Sequence, residues 1–337
     1  MSCSLSIWLL SFFVLTITTS DALLQKTTTK IATTSFCSPR RPSPCSPGIL
    51  FRQSPTLLHL SPQQLGSFEP LTVAEPRKVN VAFYGLFDDD NNNDTTTAQP
   101  IAFQDAWTIQ QNLQSAQFQQ LIPGQRTEDY VYDKDSSLDT LLFVQHQPVY
   151  TLGTASDRRF ILGEGDSTSS SATANTNTST SSNIPIVDIN RGGEVTYHGP
   201  GQLVVYPILN LRNYRTDLHW YMRSLEEAVL YALELAGIDT AERSEDTTGV
   251  WVDNHKVAAI GVSARRWITQ HGVAINAEET CMSAFDGIVP CGLEGRKVGY
   301  LNQFLDQPLT VQTFIPYMME AMEYVFRMEL ELSESSC

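Results

Sequence analysis

Two short stretches hold the side chains best suited to covalent chemistry. In "FDGIVPCGLEG", Cys291 sits between Pro290 and Gly292; upstream, in "DNHKVAAIG", Lys256 stands alone in an otherwise apolar run. A thiol attacks only as thiolate, which requires a base or a positive neighbour. The candidate partners are His198, His271 and Lys256. Lys256 is the most telling, because it follows a turn and precedes the small-residue strand "VAAIG" with no acid to pair with. A lysine near a core has its pKa lowered, which suits proton transfer. Taken singly, each residue also has an ordinary use: a free cysteine is usually a small buried hydrophobe, and most lysines are exposed.

The densest stretch is "RGGEVTYHGPGQL". It is neither G-x-G-x-x-G opening a helix nor G-x-x-x-x-G-K-[ST], so neither phosphate-binding fingerprint is met. A Gly/Pro turn between strands is the plain reading. The functional reading is a ligand wall: backbone N–H groups bared by the glycines, lined by Arg191, Thr196, Tyr197 and His198.

Strands and helices must position these groups. "KVNVAFYGLF" reads as a first strand, and "IAFQDAWTIQQNLQSAQFQQLI" as a helix with Ala106, Ile109, Leu113 and Ala116 on its apolar stripe. "DTLLFVQHQPVYTLG" reads as one strand ended by Gly153, and "IPIVDI" and "LVVYPIL" flank the Gly-rich segment. "TDLHWYMRSLEEAVLYALELAG" is an amphipathic helix with Leu218, Met222, Leu225, Val229 and Leu233 on one stripe, capped by Asp217 or Thr216 and ended at Gly237. "GVWVDNHKVAAIGVSARRW" reads as a hairpin turning at Asp253–Asn254, "TQHGVAINA" as a further strand, and "TVQTFIPYMMEAMEYVFRMELEL" as a closing helix entered near Pro316. Strands outnumber helices, which favours an α+β sheet with helices on one face over a doubly wound fold.

The bulk numbers bound the reading. A chain of 337 residues, 42% hydrophobic, holds one or two domains. Its formal charge of −15 argues against non-specific nucleic-acid binding. Residues 1–68 hold one acid, Asp21, against the bases Lys26, Lys30, Arg40, Arg41 and Arg52, a net of +4 that leaves −19 for the remainder. The apolar run "SIWLLSFFVLTIT" is too short for a confident membrane span, and a basic, Ser/Thr/Pro-rich, acid-free stretch follows it. Residues 1–77 therefore read as a targeting leader, a signal-like then a transit-like segment, leaving 78–332 as one catalytic domain without stable membrane insertion. That order favours a plastid over a mitochondrion. The Ser/Thr/Asn-rich insert at 165–183 reads as a disordered surface loop. Of the six cysteines, Cys281, Cys291 and Cys337 lie in the body, with no C-x-x-C and no even framework, so a disulfide scaffold or structural zinc site has little support.

Together, "HQPVYTLG", "RGGEVTYHGPGQLVVYP", "GVWVDNHKVAAIGV", "HGVAIN" and "IVPCG" resemble, in family order, the octanoyl (lipoyl) transferases, the lipoate-protein ligase B family. The resemblance spans roughly 78–330. It implies an α+β (α/β) fold, a mixed β-sheet with packed helices like the catalytic domain of biotin and lipoate protein ligases. It implies transfer of an octanoyl or lipoyl group from acyl carrier protein to a lysine of lipoyl domains, in 2-oxoacid dehydrogenase subunits or the glycine cleavage H protein, as the first step of endogenous lipoate synthesis. The family's acyl-accepting cysteine falls on Cys291 and its catalytic lysine on Lys256. Its substrate wall falls on Arg191, Gly192, Gly193, Glu194, Val195, Thr196, Tyr197 and His198, on Ala259, Ile260 and Gly261, and on Gly272, Val273 and Ala274, with His146 and His271 in support. No ATP, metal or other cofactor is implied, because the donor is already a thioester. Where the family commonly has an acid before the histidine of "HQPVYTLG", this chain has Gln145. The rival readings are an ATP-dependent lipoate ligase, an acyl-carrier-protein thioesterase and a non-catalytic carrier-protein binder. Carrier proteins and lipoyl domains are typically acidic, so a basic rim of Arg265, Arg266, Arg296 and Lys297 is a candidate docking edge.

Overall fold

The computed structural model describes residues 71, 75–87, 99–121, 138–162, 184–289 and 297–332. Cys291, the leader up to residue 70 and the insert at 165–183 lie outside the described residues.

In chain order the elements are β1 (Arg77–Tyr84), α1 (Phe103–Gln120), β2 (Thr140–Val144), β3 (Val149–Leu152), β4 (Ile186–Asp188), β5 (Val195–His198), β6 (Gln202–Ile208), α2 (Leu218–Leu235), β7 (Glu242–Arg243), β8 (Val250–Val252), β9 (His255–Arg265), β10 (Ile268–Asn276), β11 (Lys297–Val298), α3 (Val311–Phe326) and β12 (Met328–Leu332). Among the described residues nine strands form one mixed sheet, β12-β1-β2-β6-β10-β9-β8-β7, with β11 paired to β9; β4-β3-β5 form a second, smaller sheet.

The hairpin turns where its sequence requires it. Asp253 and Asn254 have φ of 45° and 65°, the left-handed pair of a type I′ turn, which Asp and Asn tolerate better than most residues. Asp217 caps α2 by accepting from the amides of His219 and Trp220, and Gly237 follows its end at φ 96°. The core of α2 and α3 against the sheet buries Leu225, Val229, Phe314, Met318 and Met322 under Val205, Val273 and Ile275.

Four expectations change. The "DTLLFVQHQPVYTLG" run is two strands, β2 in the large sheet and β3 in the small one, and the chain switches sheets at Gln145–Pro148. Helices cover both faces: α2 and α3 pack on one, while α1 lays Ala106 against Leu142, Val204 and Ala274 on the other. The buried face of α1 carries Gln110, Gln114 and Gln117 rather than Ile109 and Leu113, because these amides reach backbone groups of the strands, such as Ile268 O, Ile208 O and His271 N. Pro316 lies inside α3, which Thr310 caps, and the last residues form β12, which pairs in parallel with β1.

Candidate active site

The Gly-rich segment crosses the large sheet at one point of close approach. Gly192 N donates to Val262 O at 3.0 Å, and a Cβ on Gly261 would stand 2.9 Å from Arg191 Cδ and 3.1 Å from Gly192 O. Only glycine leaves room for the segment to lie on β9 there. Arg191 fastens the crossing from beneath. Its guanidinium donates to Gly192 O, Thr151 O and Thr151 Oγ1, each at 3.0 Å. Burial lowers its pKa to about 10, so it stays charged.

Between this segment and the sheet lies a cavity of about 440 Å³, within the range of small-ligand sites. Among its lining residues are Lys256, Ala259, Ile260, Gly261, Gly272, Val273, Ala274, His271, Arg191 to Thr196 and His198. The register explains their convergence, with Gly272 opposite Gly261, Val273 opposite Ile260 and Ala274 opposite Ala259. Two predicted residues stand behind the lining. Tyr197 points away, its ring 5.8 Å from Tyr150 and 5.6 Å from Phe285. His146 is buried under the floor, with Nε2 2.7 Å from the hydroxyl of Tyr206, which does line the cavity. Phe103, Gln202, Tyr206 and Asn276 line it without having been singled out from the sequence.

Lys256 enters from β9, opposite Trp251 of β8, with Val298 of β11 on the other side. Its Nζ lies 5.5 Å from the centre of the Trp251 ring, and among the described residues no hydrogen bond or ion pair holds it. Loss of water lowers its pKa; Glu226 and Glu194 act against that loss, and Arg191 adds to it. Cys291 falls in the segment between Val289 and Lys297, whose far end pairs with β9 at His255.

A chain of hydrogen bonds ties the motifs together. His198 Nδ1 is 2.7 Å from Gln202 Oε1, Gln202 Nε2 donates to Asn276 Oδ1 at 2.9 Å, Asn276 Nδ2 donates to Gly299 O at 2.9 Å, and Gly299 N donates to Lys256 O at 3.0 Å. With its amide NH₂ committed, Gln202 presents oxygen to His198, which therefore carries its proton on Nδ1. Gln145 uses both ends of its amide, accepting from Gly201 N and donating to Gly85 O. A carboxylate could not make the second bond. His271 has φ 58° within β10, a strained value for a non-glycine residue. Gln110 holds it by accepting from its amide at 2.9 Å, and Nε2 lies 2.8 Å from Asn190 Oδ1. Burial lowers the pKa of His146 and His271 to about 3 and of His198 to about 4, so all three are neutral near pH 7 and are weak bases there, far below the pKa that suits proton transfer at that pH.

Arg265 and Arg266 stand at the β9–β10 turn against Phe118, nine residues along the strand from Lys256, about 30 Å at the usual rise. Of the four rim candidates, Lys297 is the one described beside Lys256; Arg296 lies outside the described residues. Cys281 is fully buried, its Sγ donating to Glu278 O at 3.0 Å, and burial pushes its pKa up to about 12. Among the described residues no group of three or more His, Cys, Asp or Glu side chains could hold a metal ion.

Residues 124–323 match the lipoyl protein ligase A/B catalytic domain. The chain is 40% identical over 234 residues to an octanoyltransferase of Synechococcus sp. (strain WH7803), covering 69% of this chain and 85% of that one. It is 38% identical over 211 residues to a chloroplastic octanoyltransferase of Arabidopsis thaliana, covering 62% of this chain and 65% of that one. Among solved structures it resembles a T. acidophilum protein assigned as a lipoate protein ligase, solved with bound lipoic acid. There the TM-score is 0.50 at 12% identity, over 77% of this chain and 88% of that one, a likeness of fold.

Proposed function

The chain belongs to the lipoyl protein ligase A/B catalytic domain family, and from that premise we propose that Cys291 and Lys256 carry octanoyl transfer through a covalent acyl-enzyme. The protein is an acyltransferase that moves an octanoyl group in lipoate biosynthesis. In the proposed course, neutral Lys256 takes the Cys291 proton, and the thiolate attacks the thioester carbonyl of octanoyl-acyl carrier protein. The tetrahedral adduct collapses, the carrier thiolate leaves with the proton held by Lys256, and Cys291 keeps the octanoyl group. The lysine amine of a lipoyl domain then attacks, Lys256 takes its proton, and Cys291 leaves as thiol once that proton is returned.

One observation carries this reading: Lys256 lines the cavity without an ion-pair partner among the described residues, its pKa lowered by loss of water, beside the strand that follows Cys291. The apolar lining of Ala259, Ile260, Val273, Ala274 and Val204 suits an eight-carbon chain, at about 0.8 kcal/mol per buried CH₂. The thioester donor supplies the activation, so neither ATP nor a metal has a step to perform. The acceptors are lipoyl domains of 2-oxoacid dehydrogenase subunits or the glycine cleavage H protein. Residues 1–77 serve as a leader and 78–332 as the catalytic domain; the leader's composition and the chloroplastic relative support a plastid form.

Intact-mass measurement tests the proposal. Protein mixed with octanoyl-acyl carrier protein should gain one octanoyl group on the Cys291 peptide and lose it to added lipoyl domain. An adduct elsewhere, or transfer that requires ATP, would sink it.

A further inference from the structure

Helix α2 buries two adjacent acids, an arrangement an amphipathic helix does not need. Glu226 is 1% exposed and Glu227 3%. Glu227 pairs with Arg243. Glu226 meets Arg223 at 2.7 Å and Arg243 at 3.5 Å, and its other oxygen accepts from Gly249 N at 2.9 Å. Gly249 has φ 138°, and a Cβ there would stand 2.6 Å from Lys256 Cε and 3.3 Å from its Nζ. The Lys256 side chain thus lies directly on the backbone that Glu226 holds.

We propose that Glu226 is a positioning residue for Lys256: it fixes the Gly249 backbone on which the lysine lies and supplies the buried negative charge that offsets its ammonium. This rests on the reading of Lys256 as the proton carrier. The charges acting on the ammonium are those of Glu226, Arg191 and Glu194, and the ionisable groups around it and around Glu226 come from three sides. From α2 comes Glu226, with its partners Arg223 and Arg243 and the neighbouring Glu227. From the Gly-rich segment come Arg191 and Glu194; on the lysine's own side are His255 and, on β11, Lys297. Of the groups acting on its charge, Glu226 is the largest that favours the charged lysine and Arg191 opposes it. Without Glu226, loss of water and Arg191 would hold Lys256 further toward neutral, so it could take a proton but would not keep one beside the thiolate.

The test reads Lys256 itself. Lysines carrying ¹³C-methyl groups are titrated by NMR, and the Lys256 signal is assigned by its loss in Lys256→Arg. In Glu226→Gln the side-chain carbonyl can still accept from Gly249 N, so the hold on that backbone stays, while the charge and the oxygen that accepts from Arg223 go. The Lys256 midpoint should move to lower pH, and the midpoint of the transfer rate should move with it. Arg243→Gln frees Glu226 from a counter-charge, so the midpoint should move to higher pH. A merely structural Glu226 would not produce opposite shifts. An unmoved midpoint in folded Glu226→Gln overturns the proposal; if that variant does not fold, an Arg243→Gln midpoint that fails to rise overturns it. Should the midpoints move as stated while Lys256→Ala transfers octanoate at the full rate, the positioning stands and the catalytic reading of Lys256 fails.

Discussion

Gln202 and Asn276 face each other across β6 and β10, and the Gln202 amide donates to Asn276 Oδ1 at 2.9 Å. The same Asn276 donates to Gly299 O, whose own amide bonds Lys256 O. The Gly-rich motif is therefore mechanically continuous with the lysine strand. Asn276→Ala leaves the buried Gly299 carbonyl without its donor and takes one of two acceptors from the Gln202 amide, which keeps Tyr197 O at 3.1 Å, at about 1–3 kcal/mol. Thermal unfolding should show that loss, and single-turnover octanoyl transfer should fall at least tenfold as β11 loosens beside Lys256. An unchanged rate would mean that Lys256 is held without Asn276.

Cys291→Ala should abolish both the acyl-enzyme and transfer, since the free thiol among the described residues, Cys281, is sealed in the small-sheet core with its pKa near 12. Cys281→Ala should transfer octanoate within a few-fold of the parent. Lys256→Ala should slow both half-reactions and raise the pH at which Cys291 is alkylated. Lys256→Arg should restore little, because guanidinium does not give up its proton. Rapid alkylation of Cys291 at an unchanged midpoint in Lys256→Ala would break the pairing.

Local chemistry was legible where one residue type has one use. Asp253–Asn254 turns the hairpin because few other pairs accept two left-handed residues in succession, and Asp217 caps α2 because its carboxylate meets free amides. The cavity wall was legible through motifs that stay contiguous on strands, such as "VAAIG" and "GVAIN". Groups whose partners are remote in sequence were not legible. Glu226 and Glu227 look like the wet face of a helix until Arg243 and Gly249 arrive from elsewhere. Gln110, Gln114 and Gln117 look exposed until the backbone of β6 and β10 claims their amides. The break between β2 and β3 was hidden because both halves of that run are apolar and buried.

The three buried histidines make the fold acid-sensitive. Their folded pKa values, about 3 for His146 and His271 and about 4 for His198, lie below the ordinary 6.5. As pH falls below 6.5 the unfolded chain binds protons that the folded one refuses, so stability is lost with falling pH. Between pH 6.5 and 5 each histidine should cost about 2 kcal/mol. Urea unfolding at pH 7 and pH 5 in an Asp139→Asn background, which removes the opposing titration of Asp139, measures the total, and His146→Gln should remove about a third of it. Equal slopes in the variant and the parent would refute a buried neutral His146.

Asp139 works in the opposite direction. It is buried at the start of β2, where it accepts from Asn210 N at 2.8 Å and Asn213 Nδ2 at 3.0 Å, yet burial still raises its pKa from 3.8 to about 6. The unfolded chain releases this proton near 3.8 and the folded one near 6. The contribution is whole below 3.8 and is lost as pH rises through 6, about 3 kcal/mol in all. Asp139→Asn keeps an acceptor oxygen at the site and cannot titrate. Measured against the parent, which cancels the histidine effect, the variant should gain about 2 kcal/mol in relative stability between pH 4 and pH 7. The two proteins should run parallel above pH 7, where Asp139 is charged in both states. A difference that stays constant from pH 4 to pH 7 would show that Asp139 titrates alike in the folded and unfolded chain, and the strain assigned to its burial would be absent.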